Sequence, residues 1–248
     1  MTTLVTGATG TLGRVVVRQL RDAGRPARVL SRRPRPDGDP DWATGDLETG
    51  AGLVSAVEGV STVIHCATDG RRPGADLGGV HQLLAALRDR DTHLVYVSIV
   101  GVDRVPLRYY REKLAVEQVI ERSDLPWTIL RATQFHDLVA SLLGLAARVP
   151  VVPVPAATSF QPIDVPEVAA HLIALAAGGP VGRADDLGGP QVRSAADLAR
   201  VYVRSKGLRR RVLPVRLPGR VAGALRSGGL LATGYPGAGR TWEEFLAS

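Results

Sequence analysis

Cysteine is almost missing from this chain: Cys66 stands alone among 248 residues, so no internal disulfide can form. The other candidate metal ligands are as sparse. His65, His81, His93, His136 and His171 are too scattered for metal-ligand spacing, and no metal is expected. Lysine is rarer than the charge suggests. Only Lys113 and Lys206 carry an ammonium, and the other 29 of the 31 basic residues are arginines. Aromatic residues make up 4% of the chain, too few to interleave with the basic groups as base-stacking platforms. The formal net charge is +7, and the arginines are spread out with modest clusters at Arg32–Arg33–Arg35 and Arg204–Arg211, so nucleic acid is not an expected partner. No apolar run reaches the roughly 18–20 residues that cross a bilayer. The longest apolar-rich stretch, Leu138 to Val154, is broken by Gly144, Arg148, Pro150 and Pro153. The chain opens directly on a strand-like segment without a signal-peptide pattern. These absences lead to the expectation of a soluble, cytoplasmic protein with no membrane partner.

What is present is an alternation. Strand-like runs at Thr3–Thr6, Ala27–Leu30, Ala43, Thr62–His65, Leu94–Ser98 and Thr128–Leu130 are separated by helix-like segments at Leu12–Ala23, Ala51–Glu58, Gly78–Arg88 and Tyr109–Arg122. That rhythm predicts an α/β fold, a Rossmann-type doubly wound parallel sheet with helices on both faces. After Ala132 the rhythm loosens. A helix at Phe135–Ala147, a proline-punctuated stretch from Pro150 to Pro166, and helices at Glu167–Ala177 and near Ala195–Val203 precede a Gly/Arg-rich tail ending in Trp242–Leu246. The expected organisation is a dinucleotide-binding core over 1–135, with 136–248 as a small C-terminal substrate-side region packed on the same domain.

The sharpest local signal is Gly7-Ala8-Thr9-Gly10-Thr11-Leu12-Gly13, directly after the first strand and opening the first helix. Gly7 permits the strand-to-helix turn, Gly10 lets backbone amides approach a pyrophosphate, and Gly13 lets the helix pack close to the sheet. The helix start from Thr9 through Thr11, Leu12 and Gly13 offers N–H groups and a positive dipole end to phosphates. The second strand ends in Ser31-Arg32-Arg33, where an NAD site would place a carboxylate for the ribose 2′-OH. Guanidinium groups instead match a 2′-phosphate in charge and fork geometry, so NADP(H) is expected over NAD(H). A solvated arginine cluster is the plainer reading of the same residues.

The GxxGxxG spacing resembles the short-chain dehydrogenase/reductase superfamily. The segments Thr62–Cys66, Leu94–Val100, Tyr109–Gln118 and Thr128–Phe135 resemble its atypical, NmrA-like NAD(P)-binding members. The resemblance implies that Asp46 and Leu47 flank the adenine and that Ala67 lines the cofactor from the other side. It also implies a catalytic set. Tyr109 and Lys113, at i and i+4 on one helix face, form YxxxK, and Ser98 ends the preceding strand. A phenol with pKa ~10 is a reluctant proton donor near neutrality, and a nearby ammonium favours its phenolate. Tyr110 is the competing phenol. Where catalytic relatives carry a relay asparagine, this chain has Asp76, which could hold a water or a lysine or be an ordinary helix N-terminal aspartate. Gln134, Phe135 and His136 follow the last strand and are substrate-side candidates by the same resemblance, although packing is the plainer role for His136.

The expected activity is NADP-dependent reduction of a small carbonyl or quinone-like molecule. An NADP(H)-binding redox sensor without turnover is the alternative, and a sugar-nucleotide epimerase the weaker one. Oligomeric state is not legible from these residues.

Overall fold

The computed structural model describes residues 2–34, 39, 41–234 and 237–248; Arg35 of the basic cluster lies outside them. The first half runs β1 (Thr2–Thr6), α1 (Thr11–Asp22), β2 (Ala27–Ser31), β3 (Trp42–Thr44), α2 (Leu53–Ala56), β4 (Val60–His65), α3 (Ala75–Ala86), β5 (His93–Ile99), α4 (Arg108–Glu121) and β6 (Trp127–Ala132). It continues with α5 (His136–Ala146), β7 (Val151–Pro155), β8 (Ser159–Phe160), α6 (Val165–Gly178), β9 (Gly182–Arg183) and β10 (Arg193–Ser194). The chain closes with α7 (Ala195–Ser205), β11 (Arg211–Val215), α8 (Arg220–Arg226) and α9 (Trp242–Ala247).

Two compact units emerge. Unit 1 comprises residues 1–98, 111–130 and 168–184, and unit 2 comprises 99–110, 131–167 and 185–248. Among the described residues, unit 1 is organised by a seven-stranded sheet in the order β3-β2-β1-β4-β5-β6-β9, flanked by helices. The registers are parallel, with Thr3 beside Ala27, Thr6 beside His65 and His65 beside Tyr96. This is the expected Rossmann-type sheet, and the chain order reverses between β1 and β4, where such folds open a ligand crevice. Strands buried on both faces read as apolar runs, which is why Leu4, Val63, Ile64, Leu94 and Ile129 are all fully buried. Helix α1 buries Leu12, Val16, Val17 and Leu20, the stripe its helical spacing predicts.

Helix α2 is shorter than its pattern suggests, four residues in place of the expected 51–58. Gly50, Gly52 and Gly59 all take positive φ around it, and Gly52 lies against the Thr44 carbonyl, so the backbone turns where a helix would continue.

Unit 2 has its own core. Val139 and Leu143 of α5, Val152 and Val154 of β7, and Leu198 and Ala199 of α7 gather around Trp242, whose indole N–H donates to the Leu198 carbonyl at 3.1 Å. Strands β7 and β11 pair in parallel, Val151 beside Arg211 and Pro153 beside Leu213.

Candidate active site

The glycine loop is a cradle shaped by the absence of side chains. Gly7 has φ +62°, and a Cβ there would come within 2.6 Å of the Ala67 nitrogen, so β1 and β4 close on each other only because position 7 is bare. A Cβ at Gly13 would overlap the Gly7 carbonyl oxygen, which fixes α1 tightly beneath the loop. Gly10 caps α1 in extended conformation, with no side-chain cap and no acidic residue in the first turn. Thr9, Gly10 and Thr11 are exposed, leaving the positive end of the helix open to an anion. Leu12, by contrast, turns into the core. A dinucleotide pyrophosphate fits this donor set: open amides, no competing carboxylate, and room that a Cβ would fill.

At the end of β2 the Ser31 hydroxyl accepts the Arg33 N–H at 3.1 Å, and the Arg33 carbonyl accepts the Trp42 indole N–H at 3.0 Å. These bonds fix the turn and leave Arg32 and Arg33 exposed, without an ion pair among the described residues. After β3 the Asp46 carboxylate accepts the Glu48 N–H at 2.9 Å, an Asx-type turn, and Leu47 packs its Cβ at 3.4 Å from where a Gly79 side chain would begin. Ala67 donates its N–H to the Thr6 hydroxyl at 3.2 Å, and the same oxygen meets His65 Nδ1 at 2.7 Å.

Lys113 is the centre of the arrangement. It is 3% exposed, and its ammonium lies 3.4 Å from Asp76, whose side chain is equally buried. Asp76 also accepts from the Thr68 hydroxyl and the Asp69 N–H, both at 2.6 Å, while its own N–H donates to Glu112 at 3.0 Å. The lysine lies 4.9 Å from the centre of the Tyr96 ring, a cation–π contact. Tyr96 stacks on His65 with centroids 5.6 Å apart. Alternation along β5 puts Ser98 on the face that carries Tyr96. Ser98 is buried and its Oγ has no hydrogen-bond partner among the described residues. Thus Asp76 and Lys113, named from sequence, meet in one ion pair, and Ser98, also named, stands near the carboxyl end of β5 on the face that carries Tyr96. Thr6, Thr68, Tyr96 and Glu112 complete the cluster and were not singled out from sequence.

Burial and charge set the protonation here. Burial pushes Lys113 below the ordinary lysine range, and the Asp76 charge pulls it partly back. Burial first, and the Lys113 charge second, lower His65 to about 4, so its imidazole is neutral at pH 7. Burial raises the Cys66 thiol to about 12, which makes it an inert filler.

The remaining candidates lie in unit 2. Tyr109 and Tyr110 meet edge to face with centroids 6.5 Å apart. Tyr110 is buried and raised to about 12, chiefly by desolvation, whereas Tyr109 is half-buried. Gln134 is spent on backbone: its amide donates to Leu230 at 3.2 Å and its oxygen accepts the Gln161 N–H at 3.5 Å. His136 is spent on packing. It stacks on Phe245 at 5.0 Å, lies 5.7 Å from Trp242 and meets the Arg240 carbonyl through Nε2 at 2.9 Å. Phe135 caps α5 and is half-buried.

Comparison with known proteins bears on the family and the fold. The model of the NAD(P)H-binding family matches residues 7–174, from the first loop glycine into α6. The (4-alkanoyl-5-oxo-2,5-dihydrofuran-3-yl)methyl phosphate reductase of Streptomyces griseus subsp. griseus is 32% identical over 214 residues, covering 81% of this chain and 74% of that one. The ceramide reductase of Caulobacter vibrioides is 32% identical over 197 residues, covering 69% and 59%. Among solved structures, the NADPH-dependent quinone oxidoreductase of Escherichia coli, complexed with NADPH, superposes with a TM-score of 0.83. It is 18% identical and the match covers 99% of this chain and 98% of that one, a likeness of fold. The resemblance to atypical short-chain reductases therefore holds along most of the sequence, and the chain belongs to the NAD(P)H-binding family.

Proposed function

We propose that the protein is an NADP-dependent oxidoreductase that reduces a small carbonyl or quinone-like substrate. The observation that carries this reading is the buried Lys113, one of two lysines in an arginine-rich chain, held by Asp76 on the sheet face that presents Ser98. Arginine could not replace it, because a fork-shaped guanidinium does not act as a compact, tunable ammonium.

The glycine-loop amides and the α1 dipole bind the pyrophosphate. Ser31, Arg32 and Arg33 meet a 2′-phosphate, and Asp46, Leu47 and Ala67 line the adenosine side. The nicotinamide, when bound, supplies hydride. Lys113 holds the ribose and favours the phenolate of Tyr109, which stands four residues earlier on α4. Tyr109 delivers its Oη proton to the substrate oxygen, and the Ser98 hydroxyl orients that oxygen. Tyr110 is the poorer donor, since desolvation makes its proton harder to release. Asp76 is a positioning residue that fixes the lysine. Of the substrate-side candidates Phe135 is retained, because Gln134 and His136 already spend polar atoms within unit 2.

A second reading has one observation in its favour. Asp76 already answers the Lys113 charge, which suits a protein that binds NADP(H) without turnover. Two measurements test the proposal. Fluorescence titration is expected to give tighter NADPH than NADH binding, and Arg32→Ala to weaken NADPH alone by about 10- to 100-fold, the value of a charged hydrogen bond. Equal affinities in the wild type would remove the NADP assignment. Tyr109→Phe is expected to lower kcat by about 10²-fold or more with the cofactor Kd unchanged. Unchanged turnover would sink the proton-donor role.

A further inference from the structure

Although the arginines are spread along the chain, its excess of positive over negative charge comes from one stretch. Between Leu198 and Trp242 lie ten basic residues and no acidic one, leaving 21 basic against 24 acidic elsewhere. Residues 138–163 are likewise free of Asp and Glu. Structure brings these two acid-free segments together within unit 2. Strand β11 pairs in register with β7, and the Arg210 guanidinium donates to the Ala147 carbonyl at 3.3 Å, tying the start of β11 to the end of α5.

The exposed residues of these linked elements are apolar and basic at once. On and just beyond α5, Leu138, Leu142, Leu145 and Val149 recur at i, i+4, i+7 and i+11, and each is at least half exposed. On the paired strands Val151, Pro153 and Leu213 face outward, while Val152 and Val154 turn into the core. Arg148, Arg209, Arg211 and Arg216 are exposed beside them, without ion pairs among the described residues.

We propose that this α5–β7–β11 face docks on the surface of an anionic lipid bilayer. Leucines at helical spacing enter the acyl boundary, while arginines reach phosphate headgroups with their long stems along the apolar surface. The lack of a spanning run bears on crossing a bilayer, not on lying against one. A second copy fits poorly, because a two-fold contact would set the arginine rim against itself. Nucleic acid fits poorly too: neither 138–155 nor 206–217 contains an aromatic residue on which a base could stack.

The test is co-sedimentation of the full chain with phosphatidylcholine vesicles, alone or carrying about one third phosphatidylglycerol. Retention on the anionic vesicles only, weakening with salt, is expected. Arg209→Ala/Arg211→Ala/Arg216→Ala should weaken it roughly 100-fold, about five-fold per charge. Leu142→Ser/Leu145→Ser should weaken it by about ten-fold or more. Both variants should bind NADPH as the wild type does, which reports an intact fold. Absent or charge-independent retention, or variants that sediment like wild type, would overturn the proposal. A dimer in sedimentation velocity that Leu142→Ser splits would overturn it in favour of a second copy. Tighter binding to duplex DNA than to vesicles would overturn it in favour of nucleic acid.

Discussion

Replacing Asp76 by Asn removes one charge from the buried Asp76–Lys113 pair while conserving volume. The Asp76 and Lys113 side chains are each 4% exposed and lie 3.4 Å apart, so water cannot screen what is lost. Breaking a buried pair by neutralising one partner costs about 3–5 kcal/mol, because the other charge stays buried and uncompensated. For a domain of this size that is a fall in Tm of about 6–20 °C. The loss has a pH signature. Lys113 already titrates below its ordinary value, and without Asp76 it titrates lower still. Between that folded value and the ordinary 10.5, the unfolded chain binds more protons than the native one, so stability rises with pH there. The variant should therefore approach the wild type as pH rises toward 10.5. Adding Lys113→Met should recover part of the loss, with a coupling of about 1–3 kcal/mol. Denaturant unfolding of the four proteins of the cycle at several pH values measures all of this. A deficit below about 1 kcal/mol, the value of an exposed pair, or one that does not change with pH, would refute the reasoning.

Other outcomes follow from the same geometry. His65 titrates at about 4 in the folded protein against 6.5 unfolded, so the unfolded chain takes the extra proton and stability falls as pH drops through that window. The contribution is of order 3 kcal/mol, and His65→Gln should flatten that part of a stability–pH profile; an unchanged slope would contradict the assignment. Gly7→Ala should abolish NADPH binding in a fluorescence titration, since its Cβ would meet the Ala67 backbone at a positive φ. Retained affinity would show that the cradle can relax.

Parts of this molecule were legible in sequence because their causes are local. The six strands β1–β6 announce themselves as β-branched and apolar runs, and the Gly7–Gly13 loop by its place between strand and helix. Strands β7 and β11 were not legible. Val-Val-Pro-Val-Pro and Arg-Val-Leu-Pro-Val carry prolines that argue against strands, and their pairing joins segments some sixty residues apart. In the site, Asp76 and Lys113 were visible as residues, but the ion pair between them is a product of the tertiary fold. Tyr96 was missed although the signal existed: it stands two residues before Ser98, and strand alternation puts both on one face. Tyr109 was named from its YxxxK spacing to Lys113, with Tyr110 as the competing phenol; the burial that separates the two is a product of the tertiary fold.

The most direct test of the central claim is NADPH oxidation by the wild type against a panel of quinones, ketones and aldehydes, with Lys113→Met alongside. The reductase reading predicts turnover of at least one class by the wild type and its loss in the variant. Tight NADPH binding with no turnover of any member would contradict it and leave a silent NADP(H)-binding protein.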